Sequence, residues 1–195
     1  MSDKDEPIST ENKKIAQYVA RAFGGEPRVH EYINDSDTLS VGILFCEDRP
    51  SKGVTSHSTI KLSDYPRELM KGEHVTRLEL AGLCIKPAEF FPNLLATAAF
   101  TIMQTDSVYR SGSVLEGVAR KYCSQLPHLY LTQPFIWKNR LQTLDCGAKK
   151  VSWLMILPIS DAEYAYLHEH GDHALEKQLK RHQSDLSNPR RASTI

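Results

Sequence analysis

A chain of 195 residues with 41% hydrophobic and 25% charged side chains has the size and composition of one globular domain, which argues against a disordered or fibrous protein. Its 24 basic and 24 acidic residues give a formal net charge of +0, so no overall field draws the chain to nucleic acid or to an anionic membrane. We therefore expect no direct nucleic-acid binding and no membrane binding, and any charge-driven recognition must be local.

The N-terminal half predicts one helix followed by strands. Residues 1–9 are polar and are expected to be flexible. A helix is predicted over Thr10–Phe23, because Ile15 and Val19 recur at helical spacing and Gly24 supplies a stop. Polar turns separate four extended segments: Val29–Ile33, Val41–Cys46, Val54–Leu62 and His74–Leu83. The last two are expected to pair, and Val54–Leu62 is interpreted as half exposed.

The C-terminal half predicts a second set of helices around one buried strand. A buried helix is expected over Ala88–Gln104, and loops with brief strands over Asp106–Ala148. Val151–Ile159 is nearly all apolar, as in a central strand. Ser160 with Glu163 forms a capping-box pattern for a helix from Asp161, which Gly171 breaks or kinks before the apolar pattern ends near His182. Residues 184–195 are expected to form a flexible tail, which leaves a single α+β domain over residues 10–183.

Cysteine spacing and the N-terminal residues predict a cytosolic location. Four cysteines are spread along the chain without a CxxC pair, which favours reduced core residues over a zinc or redox site: Cys46, Cys84, Cys123 and Cys146. Residues 1–20 begin acidic and lack a basic segment followed by an apolar run, so no signal peptide is expected. Every apolar stretch is shorter than the ~20 residues that a membrane span needs.

The densest group of potential metal ligands is His168, His170 and His173 with Asp172. On a regular helix each residue advances by ~100°, so His168 and His170 point in nearly opposite directions. Only a break at Gly171 would bring the three imidazoles together. The cluster therefore has two interpretations, a metal-dependent enzyme or a solvated helix end, and we prefer the second.

A Cys–His nucleophile is the other enzymatic alternative. Cys46 or Cys84 is far in sequence from the candidate bases, which are His57, His74 and His128. Both cysteines adjoin apolar strands, so burial without reactivity is the preferred interpretation. The sequence also lacks the GxSxG elbow, the P-loop and the GxGxxG fingerprint. We expect no enzymatic activity, no cofactor and no metal.

Seven residues are candidate contacts for a protein partner. The acidic ones lie in or beside predicted loops at one end of the sheet and are Glu31, Asp35, Asp37, Glu47 and Asp48. Carboxylates grouped in this way can mimic phosphate and meet a basic nuclease surface. Tyr65 and Trp137 are added as aromatic anchors. The alternatives are ordinary solvated loop charge for the acidic residues and core packing for the aromatic ones.

Several segments, read in order, resemble the suppressor-of-fused domain family, in particular its short bacterial members, which act as antitoxin or immunity proteins. The matching segments are Gly53–Pro66, Arg77–Cys84, Phe90–Ile102, Pro134–Trp137 and Val151–Leu179. The last is the most specific, with a strand ending in Leu-Pro-Ile-Ser, an acidic helix, a glycine and a second amphipathic turn. The resemblance spans the chain from about Ile15 to Leu179.

The resemblance implies a mixed, mostly antiparallel sheet flanked by helices, with no catalytic residues to transfer. It also implies a protein-binding role. The leading hypothesis is an immunity protein that neutralises a cognate toxin, expected to be a nuclease, in the cytosol. The alternatives are a regulatory protein that binds a partner other than a toxin, and the metal-dependent enzyme described above. The oligomeric state stays open.

Overall fold

The computed structural model describes residues 8–66, 68–71, 74–87, 89–182 and 185–195, without the side chains of 68–71 and 74–75. Most of the start expected to be flexible, residues 1–7, lies outside these ranges. The helices are α1 (Thr10–Phe23), α2 (Phe91–Gln104), α3 (Asp161–His170) and α4 (Asp172–Arg181). The strands are β1 (Pro27–Ile33), β2 (Ser40–Glu47), β3 (Val54–Ile60), β4 (Glu68–Lys71), β5 (His74–Ile85), β6 (Val114–Leu115), β7 (His128–Thr132), β8 (Leu144–Asp145) and β9 (Lys150–Ile159). No helix within the described ranges is long and apolar enough to cross a membrane.

The described strands form one nine-stranded sheet with the order β1-β2-β3-β5-β9-β7-β6, to which β4 adds beside β5 and β8 beside β9. The pairing of β5 with β9 is parallel, and the other pairings are antiparallel. The fold is therefore the predicted α+β domain with a mixed, mostly antiparallel sheet. The predicted pairing of the third and fourth strands is confirmed, since Ser56 lies opposite Leu83.

Helices cover both faces of the sheet. On one face, α2 packs through residues such as Leu95 onto Ile43 and Leu154 of the sheet. On the other face, α1 packs through Val19 onto the side of the sheet that carries Trp153. The pair α3 and α4 covers the far end of that second face, where Leu175 meets Leu157. Because alternate residues of a strand point to opposite faces, the central strands are buried on both sides.

The strand β3 is buried, and the prediction that it would be half exposed is wrong. From Thr55 to Ile60 its residues are buried although most are polar. Neighbouring groups satisfy the two serines: Trp137 Nε1 donates to Ser56 Oγ at 2.9 Å, and Trp153 Nε1 donates to Ser58 Oγ at 3.1 Å. Hydrogen bonds of this kind remove most of the cost of burying a hydroxyl group.

The end of the chain folds back onto the domain. The carbonyl of Ser187 accepts a hydrogen bond of 2.9 Å from the N–H of Ile85 at the end of β5. Arg191 is buried and forms an ion pair with Glu163 at the start of α3. The described part of the segment expected to be a flexible tail, residues 185–195, is therefore packed against the sheet end, because a single buried arginine anchors an otherwise polar stretch.

Candidate functional site

The turn between β1 and β2 is held by the side chain of Asn34. Its Oδ1 accepts hydrogen bonds from the backbone N–H groups of Thr38 at 2.9 Å and Leu39 at 2.8 Å. Its Nδ2 donates to Ser36 Oγ at 2.8 Å. An asparagine that bonds to nearby backbone in this way fixes a tight turn. The β1–β2 turn, residues 34–39, is thus an ordered wall at one end of the sheet.

The exposed side of α2 faces this turn with a stripe of polar and aromatic side chains. The hydroxyl groups of Thr97 and Tyr122 lie 2.9 Å apart, which ties α2 to the segment that precedes β7. The rings of Tyr122 and Phe90 stack with centroids 6.2 Å apart. Lys121 places its Nζ 5.8 Å from the centre of the Tyr122 ring, within the range of a cation–π contact.

Between the β1–β2 turn and α2 lies an open groove of about 490 Å³, which we call the hairpin–helix groove. It is lined by Tyr32, Ile33, Asn34, Asp35, Ser36, Asn93, Ala96, Thr97, Phe100, Thr101, Gln104, Val118, Lys121 and Tyr122. Half-buried aromatic rings with polar groups around them are typical of protein-binding surfaces. The size and openness of the groove suit a loop or helix of another protein.

The carboxylates on the hairpin side of the groove are free of ion pairs within the described residues. Asp35 lines the groove, and Asp37 follows in the same turn with a φ of 56°. Glu31 is exposed on β1. These carboxylates have no ion-pair partner among the described residues, so they leave negative charge exposed at this end of the sheet although the whole chain is neutral. The structure therefore keeps Asp35 and Asp37 together beside the groove, whereas Glu31 lies on the face of β1 that is turned away from α2.

The other two predicted acidic residues lie elsewhere. Glu47 ends β2 and Asp48 follows it at the end of the strand opposite the groove. The eight residues of β2 at ~3.4 Å each put them roughly 25 Å from the groove. Their charges are already paired, since Lys86 Nζ lies 2.8 Å from Glu47 Oε2 and 3.4 Å from Asp48 Oδ2. The hydrogen bond from Lys86 lowers the pKa of Glu47. The expectation of one acidic end is wrong, because β2 separates the two loops.

The two predicted aromatic anchors, Trp137 and Tyr65, differ in exposure and in position. Trp137 is 3% exposed, with its ring 5.0 Å from that of Phe23, so it packs as a core residue in this structure. Tyr65 is half buried and follows the 3₁₀ turn Leu62–Asp64. Because Ile60 pairs with Gly42, β3 ends at the sheet end where the β1–β2 turn lies. Tyr65 therefore shares an end of the sheet with the groove.

The histidines at the α3–α4 junction do not converge on one point. His168 lies against Tyr164 and His170 against Tyr166, with ring centroids 4.6 and 4.3 Å apart. All three imidazoles are exposed, including His173. Among the described residues no group of three or more His, Cys, Asp or Glu side chains is placed to hold a metal ion.

The environments of Cys84 and His57 oppose Cys–His catalysis. Burial raises the pKa of the Cys84 thiol to about 12 and lowers the pKa of His57 to about 4. A nucleophilic cysteine needs the reverse, a thiol pKa near or below neutrality beside a protonated imidazole. Cys46 is also buried, and burial raises the pKa of its thiol. These side chains are packed as core residues.

The prediction of a buried helix over Ala88–Gln104 missed the wall that α2 forms along the groove. A signal was nonetheless present. Asn93, Thr97 and Thr101 recur every four residues in an otherwise apolar helix, and residues at this spacing share one face. That polar stripe identifies the side of α2 that turns away from the sheet.

Comparison with known proteins places the chain in a family. The family model described as suppressor of fused protein matches residues 37–192. Immunity protein YqcF of Bacillus subtilis (strain 168) is 33% identical over 190 residues, which are 96% of this chain and 99% of that protein. A suppressor of fused homologue from Neisseria gonorrhoeae FA 1090 matches the structure with a TM-score of 0.71 at 14% identity, covering 95% of this chain and 97% of that one.

A chain of the Sufu–Fu complex matches with a TM-score of 0.68 at 16% identity, covering 97% of this chain and 93% of that one. At such identities the solved structures show the fold alone. The family match covers most of the sheet, from the β1–β2 turn to the C-terminal segment. The chain belongs to the suppressor of fused family.

Proposed function

We propose that this chain is an immunity protein that binds a cognate toxin protein and neutralises it by covering part of its surface. The observation that carries the proposal is its similarity to immunity protein YqcF, which extends over 96% of this chain at 33% identity. The proposed place of action is the cytosol of the cell that makes the toxin.

The hairpin–helix groove is the proposed contact surface. It combines half-buried aromatic rings, which supply binding energy when a partner desolvates them, with unpaired carboxylates at its edge. A nuclease is the proposed class of toxin, because an enzyme that binds the phosphate backbone carries a basic surface. The carboxylates of Asp35 and Asp37 are suited to such a surface and would speed the encounter with it.

The chemistry of the core supports binding over catalysis. The pKa shifts of Cys84 and His57 both oppose formation of a thiolate–imidazolium pair. The exposed histidines at the junction of α3 and α4 pack against tyrosines and not around a common centre. A protein with this architecture acts through its surface.

Co-expression tests the proposal. The candidate toxin is the protein expected from the neighbouring reading frame. It is expressed in a host with and without this chain, and growth is followed. We expect the wild-type chain to rescue growth and Asn93→Arg, which places a long cation on the wall of the groove, to rescue it poorly. Ala165→Arg on the exposed face of α3 is the matched control and should rescue like the wild type.

Two outcomes would contradict the proposal. If the wild-type chain gave no rescue and no complex, toxin neutralisation would be excluded, and a regulatory role with another protein partner would remain. If Asn93→Arg rescued growth as well as Ala165→Arg did, the contact surface would lie outside the groove.

A further inference from the structure

The strand β1 ends the sheet, and no described strand pairs with its outer edge. The N–H of Asn34 donates to the carbonyl of Leu39, which places these two residues at a hydrogen-bonding position of the β1–β2 ladder. Such pairs alternate along an antiparallel ladder, and the β1–β2 register runs without interruption from Ile33 opposite Ser40 to Pro27 opposite Cys46. The backbone N–H and C=O groups of Val29, Glu31 and Ile33 therefore point away from β2 and are free to bind another strand.

The same three residues form an exposed side-chain pattern. Successive residues of a strand alternate between faces, so Val29, Glu31 and Ile33 share one face. Val29 is 51% exposed and Ile33 is 56% exposed. Glu31 lies between these two apolar side chains. On the opposite face, Arg28 already has a partner, with Nη1 3.5 Å from Glu47 Oε1.

Natural proteins usually protect a free edge with a lysine, a bulge or a proline within the strand. The strand β1 has the sequence PRVHEYI, with its proline at the first position and no lysine. Its seven residues at ~3.4 Å each offer an edge of about 24 Å, long enough to bind a strand of ordinary length. Its last residue, Ile33, also lines the hairpin–helix groove.

We propose that the bound toxin contributes a β-strand to the outer edge of β1, with a basic residue flanked by two apolar residues facing Val29, Glu31 and Ile33. The proposal rests on the proposed function and specifies how the partner is held. Main-chain hydrogen bonds supply affinity in this mode of binding, and alternate side chains supply specificity. The basic residue meets Glu31, and the chain continues past Ile33 toward the carboxylates of the β1–β2 turn.

A second copy of this chain fits the edge poorly. In a symmetric antiparallel pair, the register that sets Val29 opposite Ile33 of the other copy also sets Glu31 opposite Glu31. Like charges directly opposite each other are destabilising. The register that centres on His30 sets Val29 opposite Glu31 and separates Val29 from Ile33, so an apolar side chain meets a carboxylate. The charge pattern thus favours a partner strand of a different sequence.

The test uses purified wild-type chain and the neighbouring-frame protein carrying an inactivating substitution as the binding probe. We expect the amide protons of Val29, Glu31 and Ile33 to exchange at least tenfold more slowly in the complex than in the free chain. Glu31→Pro removes an outward N–H that the sheet does not use, so it should weaken binding by about tenfold with little change in thermal stability.

Charge is tested separately. Glu31→Lys should also weaken binding by about tenfold, whereas Glu169→Lys, the same change at an exposed position of α3, should leave the affinity unchanged. His30→Pro removes an N–H that points toward β2. It tests which backbone groups face β2 and which face outward, since it should lower thermal stability whereas Glu31→Pro should not.

The outcomes separate the two proposals. If the wild-type chain did not bind the probe, both would be overturned. If it bound, while Glu31→Pro and Glu31→Lys kept wild-type affinity and the three amides stayed unprotected, strand pairing would be rejected and the immunity role would stand.

Discussion

Arg191 and Glu163 form a buried two-point ion pair between the C-terminal segment and the first turn of α3. Nη1 lies 2.7 Å from Oε1 and Nη2 lies 2.9 Å from Oε2, with side-chain exposures of 6% and 0%. Glu163 also accepts from the backbone N–H of Ser160 at 2.9 Å, which completes the predicted capping box. One carboxylate therefore starts a helix and holds the end of the chain.

Arg191→Ala should destabilise the protein by about 3–5 kcal/mol, because removing one partner leaves the other charge buried and unpaired. Urea unfolding followed by circular dichroism measures the loss. Arg190→Ala changes the exposed neighbouring arginine and should shift stability by less than about 0.5 kcal/mol. Equal effects of the two substitutions would show that the ion pair does not hold the segment.

Stability should fall at acidic pH in two stages, and His57 accounts for the first. Burial lowers the pKa of His57 to about 4, below its ordinary value of ~6.5. As pH falls, the unfolded chain takes up the proton before the folded chain does. The free energy of unfolding therefore decreases between pH ~6.5 and about 4, by about 3 kcal/mol in all. His57→Leu should flatten this part of the profile, whereas His30→Leu at an exposed position should leave it unchanged.

Glu163 accounts for the second stage. Burial by itself would raise the pKa of this carboxyl group, but the hydrogen bonds from Arg191 and Ser160 hold it below its ordinary value. A depressed pKa stabilises the fold above the unfolded value of ~4.3, and that stability is lost as pH falls through the folded value. Glu163→Gln should be less stable than wild type at pH 7, and the difference should shrink below pH ~4, as measured by urea unfolding.

Gly82→Ala should destabilise the protein by about 1–3 kcal/mol through overpacking. A Cβ at Gly82 would lie 2.8 Å from Cζ of Phe91 and 3.0 Å from Cγ1 of Ile156, both in the core. Gly42→Ala in β2, which β3 separates from β5, is the matched control, because its nearest contact would be an ordinary 3.5 Å from Val29. Thermal unfolding of the two variants gives the comparison, and an equal melting temperature would show that Phe91 moves aside freely.

Asp35→Lys combined with Asp37→Lys should slow association with the proposed toxin by about tenfold at low salt, since charges at the rim of an interface act mainly on the association rate. The difference should narrow as salt is raised, because screening shortens the reach of exposed charges. Stopped-flow or biosensor kinetics at several salt concentrations would measure it. An unchanged association rate for the double variant would show that the charges of the β1–β2 turn do not steer the toxin.

Local signals in the sequence predicted local structure well. The bounds of α1, the capping box at Ser160 and the break at Gly171 match, because each depends on residues within one or two turns. β4 was missed, and β7 was expected only as part of a stretch of loops and brief strands. The strand β7 is buried because Leu129 and Leu131 pack in the cluster with α2 and Tyr130 packs in the cluster with α4, contacts that no local pattern encodes.

The candidate site was predicted only in part, because its two walls come from distant segments of the chain. Asp35 and Asp37 are visible as a turn, but the wall formed by Thr97 and Tyr122 requires knowing that α2 crosses the sheet beside that turn. Trp137 was offered as an anchor because tryptophan is common at interfaces, whereas its partner, Ser56, is distant in sequence. Long-range contacts decided each of these positions.

The position of β9 governs how the sheet is assembled. It is the last of the described strands along the chain, yet it lies between β5 and β7. Without β9 the sheet consists of two unjoined pieces, each with an unpaired inner border that is open to chaperones or to aggregation. A chain that is interrupted before residue 159 therefore has both borders exposed, which makes the docking of β9 the step that protects the sheet.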